Sequence, residues 1–157
     1  MVGPISEEQV AAWLDGTVVD DLRHVSDEGT EFTIRLRLAH QPIRIVKEET
    51  LGPIRLVSDT AFDTEGTQTL LESEEHRTEL LTRIGPALAA TPGFYTLLDA
   101  EGASCEFADA RSIRLEHRIY PDGANRQAVM EGLMALASAA QYLQNTVAVL
   151  LDAGRDG

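Results

Sequence analysis

The amino-acid sequence predicts a single α+β domain in which an antiparallel sheet has helices packed on one face. Two kinds of hydrophobic periodicity support this fold class. Apolar and polar residues alternate in several short segments, as in strands with one buried face, and other segments have the longer period of amphipathic helices. With 157 residues, of which 43% are hydrophobic, the chain is long enough to bury one substantial core. We predict the order α-β-β-β-α-β-β-α over residues 1–157.

The first half of the chain predicts one helix and then a meander of three strands. Ser6-Glu7-Glu8-Gln9 has the form of a capping box and starts the helix. Residues 17–25, which have irregular apolar positions, and residues 32–38, which alternate strictly, predict the first two strands. Residues 43–56 predict the third, with Gly52-Pro53 as a bulge or a break within one long strand.

The second half predicts a polar loop, a helix, two strands and a long last helix. The loop is Asp63 to Thr69, and the helix that follows is expected to kink or end near Ile84 because Pro86 lies inside its pattern. Residues 94–99 and the alternating end of residues 105–120 predict the two strands.

The last helix carries two apolar stripes. One stripe steps alternately by four and three residues, which is the spacing of a seam buried along another element. Its members are Val129, Leu133, Leu136, Ala140, Leu143, Val147 and Leu150. The second stripe is Met130, Met134 and Ala137. It is either covered by the second helix or forms the contact of a homodimer, and we expect a homodimer.

The charge composition is the most informative bulk property. Acidic residues outnumber basic ones 26 to 13, the net charge is −13, and Lys47 is the single lysine among 12 arginines. We interpret this as adaptation to a salt-rich cytoplasm, as in a halophilic archaeon, because self-repulsion of this size is tolerated when salt screens it. The alternative is an acidic protein that mimics nucleic acid or binds a basic partner.

The same composition excludes other classes. Nucleic-acid binding without sequence preference requires a basic surface, so we expect no nucleic-acid partner. No run of about 18 apolar residues is present, so we expect no membrane span. Met1-Val2-Gly3-Pro4 lacks the basic and apolar regions of a signal peptide, and we therefore expect a cytoplasmic protein.

The sequence contains no recognisable catalytic, metal or cofactor motif. Cys105 is the only cysteine, and neither a Gly-x-Ser-x-Gly elbow nor a phosphate-binding Gly-x-x-x-x-Gly-Lys loop occurs. The four histidines lack the spacing of metal ligands. His117 lies in the inward phase of the fifth strand and is interpreted as a core or edge histidine. We expect a protein that is not an enzyme and has no cofactor or metal.

Arginines are concentrated at the polar positions of the predicted strands. They are Arg35, Arg37, Arg44, Arg55, Arg114 and Arg118. One interpretation is a solvated sheet face whose arginine stems cover apolar surface and pair with neighbouring glutamates. The other is a basic recognition surface for an acidic protein, an anion or a twofold mate, since the planar guanidinium pairs with carboxylates in a bidentate manner.

The element order, with Tyr120-Pro121-Asp122-Gly123 leading into a long last helix, resembles the type III secretion chaperone-like fold. Within that group the chain is most similar to small uncharacterised archaeal proteins and YbjN-like domains. The resemblance implies a non-enzymatic, often dimeric protein, and the chaperones of the group bind extended client segments. No functional residue is carried over, because no functional motif matches.

We therefore predict a non-catalytic protein-binding or chaperone/adaptor-like module with an unknown protein partner. The alternative is a small-ligand or anion-binding regulatory domain, with His117 and the nearby arginines as its residues.

Overall fold

The predicted α+β class is confirmed. A computed structural model describes residues 3–26, 28–61, 72–90, 93–106 and 109–155, and within them the chain forms three α-helices and six strands. In chain order these elements are α1 (Glu7–Trp13), β1 (Val19–Val25), β2 (Phe32–Leu38), β3 (Gln41–Lys47), β4 (Ile54–Ala61), α2 (Glu74–Ala90), β5 (Phe94–Leu98), β6 (Ser112–Ile119) and α3 (Arg126–Arg155). One 3₁₀ turn, Pro121–Gly123, connects β6 to α3.

The strands form one antiparallel sheet in the order β1-β2-β3-β4-β6-β5. The meander has one strand more than predicted, because Gly52-Pro53 separates β3 from β4. Gly52 donates its backbone N–H to the carbonyl of Glu49 over 3.0 Å in a turn, and a proline has no N–H to give to a ladder. The loop predicted from Asp63 to Thr69 lies outside the described residues.

The chain divides into two compact units that share strands β4 and β6 and helix α3. The first consists of Met1–Ser58 and Glu116–Ala137, and the second of Asp59–Leu115 and Ser138–Gly157. Each unit has its own fully buried aliphatic side chains. In the first these include Ile34, Ile45, Ile54, Leu56 and Leu133, and in the second Leu80, Ile84 and Ile113.

The apolar seam predicted for the last helix is confirmed. All seven of its side chains, from Val129 to Leu150, are buried along α3. The capping box at the start of α1 is also confirmed, since Ser6 accepts from the backbone of Gln9 and the Gln9 side chain accepts from the backbone of Ser6.

Pro86 was expected to kink the second helix or to end it near Ile84, and the end does not occur, because α2 continues to Ala90. Inside a helix, a proline ring clashes with the carbonyl four residues earlier and with the Cβ and backbone N–H of the residue before it. That residue is Gly85, which has no Cβ. The local sequence therefore removes part of the usual cost of a proline inside a helix.

The turn between β2 and β3 fixes the register of the first unit. Ala39 and His40 both have positive φ angles, 51° and 67°, which is the backbone of a two-residue hairpin turn. The turn pairs Leu38 with Gln41, and the same register pairs Arg35 with Arg44. Two residues other than glycine in this conformation are strained, so the pairing on either side must hold the turn in place.

The single lysine is completely buried. Lys47 ends β3 with an exposed fraction of 0%, and its Nζ donates to the carbonyl of Ile5 over 2.6 Å. The carboxylate of Glu31 lies 3.6 Å from the same Nζ. A buried cation is tolerated only when it is paired and hydrogen-bonded. Lys47 therefore ties the segment before α1 to the sheet.

We expect the replacement Gly132→Ala to destabilise the first unit. A Cβ at position 132 of α3 would lie 2.7 Å from Cδ1 of Leu56 and 2.9 Å from Cδ2 of His117. Alanine favours a helix by about 1 kcal/mol over glycine, but overpacking costs about 1–3 kcal/mol. Urea unfolding should show a net loss of about 1 kcal/mol.

The control is the same substitution in a Leu56→Ala background, which removes the nearest clashing atom. There Gly132→Ala should cost less than it does in wild type, because the contact with Cδ2 of His117 remains and the one with Leu56 is gone. An equal loss in both backgrounds would show that close packing of α3 on β4 does not require glycine.

Candidate functional site

The predicted arginines lie on one face of the sheet. The register pairs Arg35 with Arg44 and Arg55 with Val46, so that residues two apart on each strand share the face. Arg114, Glu116 and Arg118 are two residues apart on β6 and therefore lie on one face of the strand. The carboxylate of Glu116 contacts Arg55, which places them on the same face as the other arginines. Buried Val46 and Val57 are flanked by arginines in this register. Arginine stems are therefore the neighbours of the apolar groups on this face.

Three arginines on this face are cross-strand neighbours on β1, β2 and β3. Arg23 is the Cα partner of Arg35, and Arg35 is the Cα partner of Arg44. Like charges directly opposite one another destabilise a sheet. We call these three residues the arginine row. Among the described residues, Arg23 and Arg35 form no ion pair, and both are exposed.

A β-bulge in β1 creates the first pair of this row. The register shifts between Asp20 and Arg23, and Asp21 has a positive φ of 52°. Asp20 pairs with Arg37, so an uninterrupted ladder would place Leu22 opposite Arg35. The one extra residue places Arg23 there instead. Arg23 was not among the predicted site residues, because the bulge interrupts the alternation that marks the other arginines.

The other end of the face is neutralised by a buried carboxylate. Glu116 is 4% exposed and lies between two arginines. Arg55 donates through Nη2 to Oε1 of Glu116, and Arg118 donates through Nε to Oε2 over 2.8 Å. Arg55 also donates through Nη1 to Glu48. We call these four residues the Glu116 network.

The ion pairs of the Glu116 network shift the pKa values of Glu116, Arg55 and Arg118. Burial alone would raise the pKa of Glu116, but the hydrogen bonds from Arg55 and Arg118 outweigh it and lower the pKa below its ordinary value. The bond to Glu116 raises the pKa of Arg55 and that of Arg118. Because each Glu116 oxygen serves a different arginine, Nε of Arg55 is buried without a partner among the described residues.

Two of the four remaining predicted arginines have acidic neighbours. Arg114 donates to Asp59 through Nε over 2.9 Å, and Arg37 lies 3.8 Å from the carboxylate of Asp21. Arg44 is half-buried and also has an interaction partner. Of the six predicted residues, Arg35 is thus the one that is exposed without an ion pair in the described part of the chain.

A cleft opens beside the Glu116 network. It has a volume of about 370 Å³, within the range of small-ligand sites, about 300–1,000 Å³. Its walls are Glu48, Glu49, Gly52 and Pro53 from the connection between β3 and β4, together with Arg55, Arg118 and Tyr120. Tyr120, Glu48 and Glu49 were missed as site residues because no sequence motif joins them.

The predicted combination of His117 with nearby arginines is not assembled. His117 lies on the helix side of β6, where its ring faces Gly132 of α3, whereas Arg118 lies on the opposite face with Glu116. Burial lowers the pKa of His117. The histidine is therefore neutral at neutral pH and belongs to the packing of α3 on the sheet.

Cys105 lacks the environment of a nucleophile. Burial first, and then the carboxylates of Asp99 and Asp109, raise the pKa of its thiol. No cluster of three potential metal ligands forms among the residues that the structure describes. No helix of that described part has the length and apolar character needed to cross a membrane.

The second stripe of the last helix is only partly at the surface. Met134 is 53% exposed and Met130 is half-buried. Ala137 is buried in the first unit, which corrects its assignment to a dimer contact. Its small side chain lies at a position that the core of its own chain already covers.

Comparison with known proteins supports the fold and leaves the activity open. No protein-family model matches the chain, and no curated protein matches its sequence. A crystal structure of an uncharacterized protein from Methanothermobacter thermautotrophicus is similar, with a TM-score of 0.72 and 18% sequence identity. The match covers 90% of this chain and 95% of that one. At this identity the likeness shows a shared fold.

Proposed function

We propose that the protein is a non-catalytic binding module that holds an acidic segment of a protein partner on the arginine row. The observation that carries this proposal is the direct opposition of Arg23, Arg35 and Arg44 on a chain of net charge −13. Arg23 and Arg35 repel each other in the free protein, because like charges directly opposite one another destabilise a sheet. Carboxylates that lie between the guanidinium groups would convert this repulsion into charge-assisted hydrogen bonds.

The dimensions of the row favour a protein segment as the occupant. Neighbouring strands are about 4.8 Å apart, so three arginines on three strands span roughly 10 Å. Successive acidic side chains of an extended or helical segment cover such a distance. The strained bulge at Asp21 is a second support, because bulges often redirect side chains beside functional sites.

A chaperone- or adaptor-like role in a salt-rich cytoplasm is part of the same proposal. In concentrated salt the long-range repulsion between an acidic chain and an acidic partner is screened within a few ångströms. Direct guanidinium–carboxylate contacts are screened less, so the arginine row would retain its selectivity. The resemblance to secretion-chaperone-like proteins agrees with a binding role but supplies no residue for it.

We expect an acidic peptide to bind through the arginine row. A fluorescently labelled peptide of alternating Glu and Ser, titrated at about 0.15 M salt, should bind wild type and lose at least about tenfold in affinity to Arg23→Gln/Arg35→Gln. Two charge-assisted hydrogen bonds are removed, each contributing about 1.5–3 kcal/mol. Fluorescence anisotropy measures the change.

The matched control is Arg77→Gln/Arg83→Gln on α2, which removes the same charge from the second unit. It should bind the peptide like wild type, apart from a small uniform loss. Equal losses in the two double variants would attribute binding to net charge and refute the proposed surface.

We also propose a homodimer, with Met134 of α3 as its contact. Half of this apolar side chain is exposed, which is the observation in favour. Light scattering should give twice the chain mass for wild type and the chain mass for Met134→Glu, because a buried unpaired carboxylate opposes association. Wild type that stays monomeric at high concentration would exclude the dimer.

A further inference from the structure

We propose that the cleft beside the Glu116 network is a binding site for a small oxyanion, a carboxylate or phosphate group, and that Glu48 occupies it as an internal competitor. This inference is independent of the proposed partner site, because the arginine row contributes no residue to the cleft. It assigns a function to the network residues that the partner surface does not use.

The cleft supplies donors that suit an oxyanion. Arg55 lines the cleft, and its Nη1 donates to the carboxylate of Glu48, another lining residue. Arg118 is 45% exposed, uses its Nε for Glu116 and interacts with Tyr120. An incoming oxyanion can thus take the place of Glu48 on Arg55 and reach the guanidinium of Arg118 with its second oxygen. Planar guanidinium groups bind carboxylate and phosphate in this paired manner.

The two carboxylates of the network differ in how easily they are displaced. Glu116 is buried and accepts from two arginines, so it is a fixed part of the site. Glu48 follows the last residue of β3, is 51% exposed and accepts from Arg55 alone among its described contacts. Exposed ion pairs of this kind are weak, and water readily solvates the released carboxylate. Glu48 is therefore the group that an external anion replaces.

Neighbouring Glu49 provides a matched comparison. It lines the same cleft and carries the same charge, but forms no ion pair among the described residues. Glu48→Gln and Glu49→Gln thus change the net charge equally. They differ in one respect, since only Glu48→Gln removes the carboxylate that competes for Arg55.

The test is a titration with inorganic phosphate and, separately, with citrate at constant ionic strength. Binding is measured by isothermal titration calorimetry and by the amide chemical shifts of residues near Tyr120. Glu48→Gln should bind at least one probe about fivefold more tightly than Glu49→Gln, which corresponds to the strength of one exposed ion pair. Arg118→Gln should lose binding while its thermal unfolding stays cooperative. A preference for phosphate or for citrate identifies the kind of oxyanion that fits.

Three results would overturn the inference. One is equal binding by Glu48→Gln and Glu49→Gln, which would reflect net charge alone. The second is the absence of binding to both probes in Glu48→Gln at any soluble concentration. The variant Arg77→Gln/Arg83→Gln on α2, whose residues belong neither to the cleft nor to the arginine row, should bind the probes like wild type. If that variant lost binding of the probes while Arg118→Gln retained it, the result would also contradict a site in the cleft.

Discussion

Glu116 is the charged group on which the polar face of the sheet depends. A carboxylate that is 4% exposed is costly to bury, and the penalty amounts to several kcal/mol after relaxation. It is offset because Arg55 and Arg118 each donate to a different oxygen of the same group. The three side chains come from β4 and β6, so the ion network connects these neighbouring strands on the side opposite α3.

Four arginines of the first unit form two groups that differ in their ion pairs. Arg55 and Arg118 are committed to carboxylates, and their charge is locally compensated. Arg23 and Arg35 lie on β1 and β2, where no such carboxylate forms an ion pair with them in the described part of the chain. In our proposals, the first group frames a cleft for a small anion, and the second binds a larger acidic partner. One face thus supports two distinct binding proposals.

Several features of the fold follow directly from the sequence. The seam of α3 and the alternation of β2 were predictable because each has a single strong period and lies on an element with one buried face. The pairing of the strands was harder to predict from the sequence. Gly52-Pro53 is compatible with a bulge or with a loop, and only the turn bond from Gly52 to Glu49 distinguishes them.

An arginine-lined sheet face could be predicted from the sequence, but not all of the residues that form the candidate sites. Alternation placed the six arginines on one face, yet it could not show that Glu116 binds two of them or that the β1 bulge adds Arg23. Composition also does not predict the burial of Lys47, since a single lysine in an acidic chain is expected at the surface. Its burial depends on the carbonyl of Ile5, which is 42 residues away in sequence.

The most direct test of this account is the pH dependence of unfolding free energy in wild type and Glu116→Gln. The pKa of Glu116 is lowered in the folded protein, so its contribution is fully present above the ordinary glutamate pKa of about 4.3 and is lost as pH falls through the folded value. We predict that Glu116→Gln is less stable by about 3 kcal/mol at neutral pH and that the difference shrinks as the pH falls below this value. Glu49→Gln should show no such difference. Equal unfolding free energies of wild type and Glu116→Gln at neutral pH would contradict the central role of the buried carboxylate. A difference in unfolding free energy that does not change with pH would contradict it as well.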